Sequence, residues 1–142
     1  MQDLNNNIKS VQSLAPAVRT ADANGDGVDL QGFEAVAVAV DTGAEGITLS
    51  SSNKIEFELE HSDDDSTYTD VAQADVIGVT LGSGGLFLTL DANGETPQIS
   101  EIGYVGGKRY IRVVANFSGT HGTGTPISAF AILGKPRHSG DA

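Results

Sequence analysis

Asp22-Ala23-Asn24-Gly25-Asp26-Gly27 sets oxygen-bearing side chains at alternate positions and a glycine at the sixth. A helix-loop-helix calcium site opens in the same way, with ligands at positions 1, 3 and 5 and a sharp glycine turn. Asp22, Asn24 and Asp26 would be the metal-ligating residues. The second half of the loop departs from that pattern. Position 12 is Phe33, Glu34 falls one residue late, position 8 is Asp29, and a Val/Ala run follows where a helix is needed. The segment is expected to be an Asn-Gly and Asp-Gly turn before a strand, with no bound metal; the alternative is a cation site of another type on these three residues.

Other residues suggest chemistry and are better read otherwise. His61-Ser62-Asp63 contains the residue types of a hydrolase triad, but neighbours on a strand point to opposite faces and cannot form the relay. The run Asp63-Asp64-Asp65, with Glu58, Glu60 and Asp70 close in sequence, reads as a solvated hairpin tip rather than a cation site. His121 sits in a Gly/Thr loop and His138 in a terminal tail, too scattered for a metal centre. Gly82 to Gly85 and Gly103 to Gly107 are not followed by the Lys-Ser/Thr pair or helix of a phosphate loop, and read as turns. Tyr68, Tyr104 and Tyr110 are the aromatic residues that could stack on a sugar. No nucleophile, carboxylate pair or cofactor motif is placed, so the expectation is a non-enzymatic protein with no cofactor and no catalytic residue.

The composition narrows the partners. The 142 residues carry 19 Asp+Glu against 8 Lys+Arg, a formal net charge of -11. Such a surface repels phosphate backbones and anionic membranes, so neither nucleic acid nor membrane is expected as a partner. No apolar run approaches the roughly 20 residues that span a bilayer. The first ten residues lack a basic start and an apolar core, so they do not read as a secretory signal, and synthesis in the cytoplasm is expected. There is no cysteine, which removes disulfides and thiolate chemistry. The 18 glycines suggest many tight turns between short strands.

The elements read as strands. In Lys54 to Ala72, Ile55, Phe57 and Leu59 alternate with Lys54, Glu56, Glu58 and Glu60, the period of a strand with one wet face. An acidic turn follows, then a return at Tyr68 to Ala72, continued after a break at Val76 to Thr80. Leu14 to Thr20, Phe33 to Val40, Leu86 to Leu90 and Pro126 to Leu133 complete the set, with a second hairpin joining Ile99 to Val105 and Lys108 to Phe117 through Gly106-Gly107. About eight strands without a helix predict an all-β fold, an antiparallel β-sandwich of jelly-roll or immunoglobulin-like type. Residues 1–13 are expected to form an arm, 14–134 a single sandwich domain and 135–142 a tail. Two strands are apolar on both faces. Val36, Val38 and Val40 oppose Ala35, Ala37 and Ala39 in one, and Ala129 and Ala131 lie in the other. One face of each should meet the core and the other a partner, so these eight residues are the candidate interface.

The segments LAPAVRTADANGDGVDLQGFEAVAVAVDTG, IEFELEHSDDDSTYTDVA and GGKRYIRVVANFSGTHGTGTPISAFAILGKPRH resemble, in this order, a family of small virion proteins. These are encoded by tailed bacteriophages and by related gene transfer agents of proteobacteria. The resemblance covers residues 14 to 138. Its strand-turn-strand motif S-D-D-x-S-x-Y also recurs in unrelated sandwiches, where glycine commonly stands in place of Asp65. The resemblance implies a virion structural protein, a head decoration or spike-base subunit whose partners are other copies of itself and shell or spike proteins. The alternative is a receptor- or glycan-binding sandwich module of a tail or spike.

Overall fold

The computed structural model describes residues 1–138. Its strands are β1 (Ile8–Arg19), β2 (Ala23–Asn24), β3 (Val28–Asp29), β4 (Phe33–Thr42), β5 (Lys54–Ser62), β6 (Thr69–Asp70), β7 (Val76–Ile77), β8 (Leu86–Leu90), β9 (Gln98–Tyr104), β10 (Tyr110–Ser118) and β11 (Thr125–Pro136). One sheet runs β1-β11-β4-β9-β7, and the other centres on β10 and β5, flanked by β2 and β3 on one side and by β6 and β8 on the other. With β2 and β3 as halves of one broken strand, the main antiparallel pairs are β1·β11, β2/β3·β10, β4·β9 and β5·β8. First pairs with last and each pair nests in the one before, while successive pairs alternate between the sheets. That nesting defines an eight-stranded jelly roll and excludes the immunoglobulin-like order.

Alternation along the strands builds the core. Val38, Val40, Ile102, Ala129, Ala131 and Leu133 from one sheet meet Ile55, Phe57, Leu59, Ile111 and Val113 from the other, and all are buried in one cluster. At two places the alternation breaks at a register shift. Phe87 and Leu90 both reach the core because β8 slips against β5 at Phe57/Glu58. Ser13 and Leu14 are both buried because β1 shifts against β11 beside them, the effect of an extra residue in one strand of a pair.

Ser13 pins the sheets together. Its hydroxyl donates to the Asp26 carbonyl at 3.0 Å and accepts from the Val113 amide at 2.9 Å, while its own carbonyl accepts from the Asp26 amide at 2.7 Å. Ser13→Ala leaves the buried Val113 N–H without a partner, and is expected to cost about 1–3 kcal/mol in urea unfolding. An unchanged midpoint would contradict this role.

Several expectations are corrected. The first strand begins at Ile8 rather than Leu14, so residues 8–13 belong to the sheet and not to an arm. The last strand runs to Pro136, past the expected boundary at 134, and residues 139–142 of the expected tail lie outside the described residues. The two pieces of the broken fourth strand separate, β6 pairing β5 in one sheet and β7 pairing β9 in the other. The second hairpin does not exist, because β9 pairs with β4 and β10 with β5. Residues 105–109 cross between the layers, and neither Gly106 nor Gly107 has a positive φ.

Candidate functional site

The calcium-like segment is stitched into the sandwich. Asp22 accepts the Phe117 amide at 2.7 Å, Ala23 and Asn24 pair with Ala115 and Val114, and Gly25 donates to the Val113 carbonyl at 2.8 Å. Its glycines answer to close packing. A Cβ on Gly25 would lie 2.6 Å from the Val113 carbonyl and closer still to the Ser13 hydroxyl, and one on Gly27 would overlap Asp65 and Tyr68. Neither glycine has a positive φ, so contact rather than turn geometry selects them, against backbone at Gly25 and against side-chain ends at Gly27. Among the described residues no group of three His, Cys, Asp or Glu is arranged to hold a metal ion.

The other sequence candidates separate as well. His61 is buried, with Nδ1 3.0 Å from the Tyr104 hydroxyl, while Ser62 donates to Asp64 and Asp63 takes Lys108. Three neighbours therefore have three unrelated partners. The Tyr104 hydroxyl accepts the Lys108 amide at 3.2 Å, and burial pushes its phenol pKa up. His121 is buried, its Nε2 2.8 Å from the Ser118 carbonyl and its ring edge-on to Phe117, whereas His138 is exposed. Arg112 stacks over Tyr68 and Arg109 over Tyr110, while Tyr104 turns inward, so the three tyrosines do not form one platform. Asp65 adopts a positive φ of 58° and takes the Tyr68 hydroxyl. Such a backbone is one that glycine adopts freely.

The outer faces of the two sheets differ sharply in charge. On the five-stranded sheet the register sets Asp41 beside Ser128 and Ile99, Ala39 beside Phe130 and Glu101, Ala37 beside Ile132 and Gly103, and Ala35 beside Gly134. Ser10 and Gln12 of β1 continue two rows, and Ile77 of β7 packs across Gly103. The charged groups in this array are Asp41 and Glu101. Ile77 and Ile99 are 58% and 65% exposed, and Phe130 and Ile132 are half-buried. On the other sheet the outer rows hold five carboxylates, Asp29, Glu56, Glu58, Glu60 and Asp70, against Lys54 and Arg112. The candidate interface is corrected accordingly. Val36, Val38, Val40, Ala129 and Ala131 pack into this chain's own core. Ala35, Ala37 and Ala39 lie on the outer side, Ala39 buried between its neighbours. The sequence reading passed over Phe130, Ile132, Ile77 and Ile99, whose signal is an apolar residue at every second outward position.

On the acidic face Lys54 reaches Glu56 at 2.8 Å and Arg112 reaches Glu60 at 2.6 Å. Glu58 lies between them without a cation. Burial raises its pKa above the ordinary carboxylate value against a hydrogen bond from Asn116, and repulsion from Asp70, Glu60 and Glu56 adds to the rise. A raised folded-state pKa contributes stability below the unfolded value and loses it as pH rises through the folded one. Glu58→Gln is therefore expected to melt about 1–3 °C higher than the parent at pH 7, with the difference closing as pH falls to about 4. Melting curves across that range check it, and a gap that widens on acidification would overturn the sign.

At one end of the sandwich lies a cleft of about 680 Å³, within the volume range of small-ligand pockets. Leu30, Phe33, Val36, Ile77 and Val105 give it an apolar side. Lys108, Arg109 and Arg137, three of the chain's eight cations, give it a charged side. Each cation has a carboxylate partner: Asp63, Asp29 (2.8 and 3.0 Å, two-pronged) and, at 3.7 Å, Glu34. The Arg109 contact holds the Asp29 carboxyl below its ordinary pKa. The cleft is thus amphipathic and internally neutralised.

Fold and surfaces together define a jelly roll with one charged face, one apolar face and an amphipathic end cleft. The crystal structure of the SPBc2 prophage-derived protein YomS is similar to this chain, with a TM-score of 0.46 and 16% identity over 90% of this chain and 93% of that one. No protein-family model and no curated protein matches the chain.

Proposed function

We propose that the protein is a non-enzymatic virion structural subunit, a capsid-associated head decoration or spike-base protein that oligomerises and docks on a larger shell. The observation that supports this reading is the contrast between the faces. A chain of net charge -11 keeps one outer sheet face nearly free of charge, with alanine and glycine between rows of Phe130, Ile132, Ile77 and Ile99. Solvated sheet faces carry polar residues at alternate positions, and a contiguous apolar face marks a contact. The resemblance of residues 14–138 to virion proteins points to a shell as the larger partner. Purified protein added to heads assembled without it is expected to give extra surface density in negative-stain images. Heads that look the same with and without the protein would count against the reading.

The end cleft favours a second reading, a receptor- or glycan-binding module of a tail or spike. Its size and mixed lining suit a small polar ligand. A glycan array separates the two, since the docking reading expects no signal on it.

A further inference from the structure

The two edges of the five-stranded sheet are built differently. The β1 edge is blunted by Pro16 and by two register shifts against β11, devices that discourage another strand from adding. The β9 edge has neither. Its ladder with β4 runs unbroken from Gln98 to Tyr104, with no proline or lysine in it. β7 covers only Gly103 and Tyr104, and among the described residues no strand pairs with Gln98 to Ile102 on that side.

The direction of the free groups follows from Thr42. Its hydroxyl bonds both the amide and the carbonyl of Gln98, at 3.1 and 3.2 Å, so those groups of Gln98 point toward β4. Backbone groups alternate sides along a strand. The N–H and C=O of Ile99, Glu101 and Gly103 therefore point away from β4, and Gly103 is the one paired with Ile77 of β7. Ile99 and Glu101 are left with two open donors and two open acceptors beside an Ile99 side chain that is 65% exposed.

A second copy of the same strand fits these groups in a single register. With a two-fold axis at Ser100, Ile99 lies opposite the partner's Glu101, and Glu101 opposite the partner's Ile99. Each pair exchanges two hydrogen bonds, so all four open groups of each copy are used. Centring on Glu101 instead would oppose two carboxylates and set Gln98 and Ile99 of the strand itself against Tyr104 and Gly103, which β7 already occupies, whereas about Ser100 only Thr96 and Pro97, which precede β9, come opposite β7 and must turn aside. Centring on Ile99 would set Glu101 against Pro97, which has no N–H. We infer that two copies join by antiparallel addition of β9 to β9 about Ser100, merging their five-stranded sheets into one and making the apolar outer faces continuous. This deepens the proposed function and rests on its claim that the protein oligomerises.

The test is sedimentation velocity over a range of concentrations, combined with amide hydrogen exchange. The parent is expected to dimerise, more tightly as salt screens the repulsion between two acidic chains. The Ile99 and Glu101 amides should slow by at least about tenfold on dimerisation. Glu101→Pro removes a donor that points away from β4, so the monomer keeps its ladder while association weakens by roughly tenfold or more. Where this variant does not fold, exchange at Ile99 and Glu101 in the parent decides. A parent that is monomeric throughout, a dimer whose Ile99 and Glu101 amides exchange freely, or a folded Glu101→Pro that dimerises like the parent would each overturn the inference. Head binding is scored separately. A monomer that still binds heads sinks only the β9 contact, and a β9 dimer that ignores heads sinks only the docking reading.

Discussion

Val38→Glu is expected to unfold the protein, whereas Ala37→Glu, one residue away, leaves it folded. Val38 is 1% exposed and packs in the core, while Ala37 lies half-exposed on the outer side between Ile132 and Gly103. A carboxylate in the first position is buried without a partner, which costs about 3–5 kcal/mol or more. That is a large share of the 5–15 kcal/mol or so that holds a domain of this size together. In the second position it stands in water until a partner covers it. Circular dichroism and melting curves on both variants check the contrast. Two folded variants, or two unfolded ones, would contradict the assignment of faces.

The second large effect is expected at Gly25. Gly25→Ala drives a methyl group against the Val113 carbonyl, 2.6 Å away, and against the Ser13 hydroxyl. Two backbone hydrogen bonds, from Gly25 to Val113 and from Asp26 to Ser13, hold the segment in place, so the strand cannot move aside without losing them. A loss of about 3 kcal/mol or more is expected, a fall in melting temperature on the order of 10 °C. Asp26→Ala, by contrast, keeps both backbone bonds and should change stability by less than about 0.5 kcal/mol, with or without calcium. Millimolar calcium that stabilises the parent but not Asp26→Ala would restore the cation site.

The sandwich was legible in the sequence wherever one face is wet. β5 alternates charged and apolar residues from Lys54 to Glu60, and its extent follows from that pattern alone. β8, bounded by glycines and by the Asp91-Ala92-Asn93-Gly94 turn, was equally plain. The connections were not. Alternating segments either side of Gly106-Gly107 read as a hairpin, yet residues 105–109 cross from one layer to the other. Five extended residues reach about 16 Å, and packed sheets lie about 10 Å apart, so a short loop serves either route and local sequence does not choose. The start of β1 was hidden because Lys9, Ser10 and Gln12 lie at an edge strand, where polar residues look like an arm. The Asp22 to Gly27 segment misleads for another reason. Gly27, which packs against the Asp65 carboxylate and the Tyr68 phenol, stands at the position where a metal loop requires a glycine, and only the fold tells the two apart. The outward residues of the proposed docking face were half-legible. Two apolar faces suggested a contact, but which alanines faced outward depended on the register with β11 and β9.

We propose the apolar outer face of the five-stranded sheet as the docking surface, and cosedimentation with heads assembled without this protein is its test. Parent, Ala37→Glu and Asn24→Asp are compared, the last adding one negative charge at an exposed position of the opposite sheet. Asn24→Asp is expected to bind like the parent, while folded Ala37→Glu binds at least about a hundredfold more weakly. Equal binding by parent and Ala37→Glu, or loss of binding in Asn24→Asp alone, would contradict it.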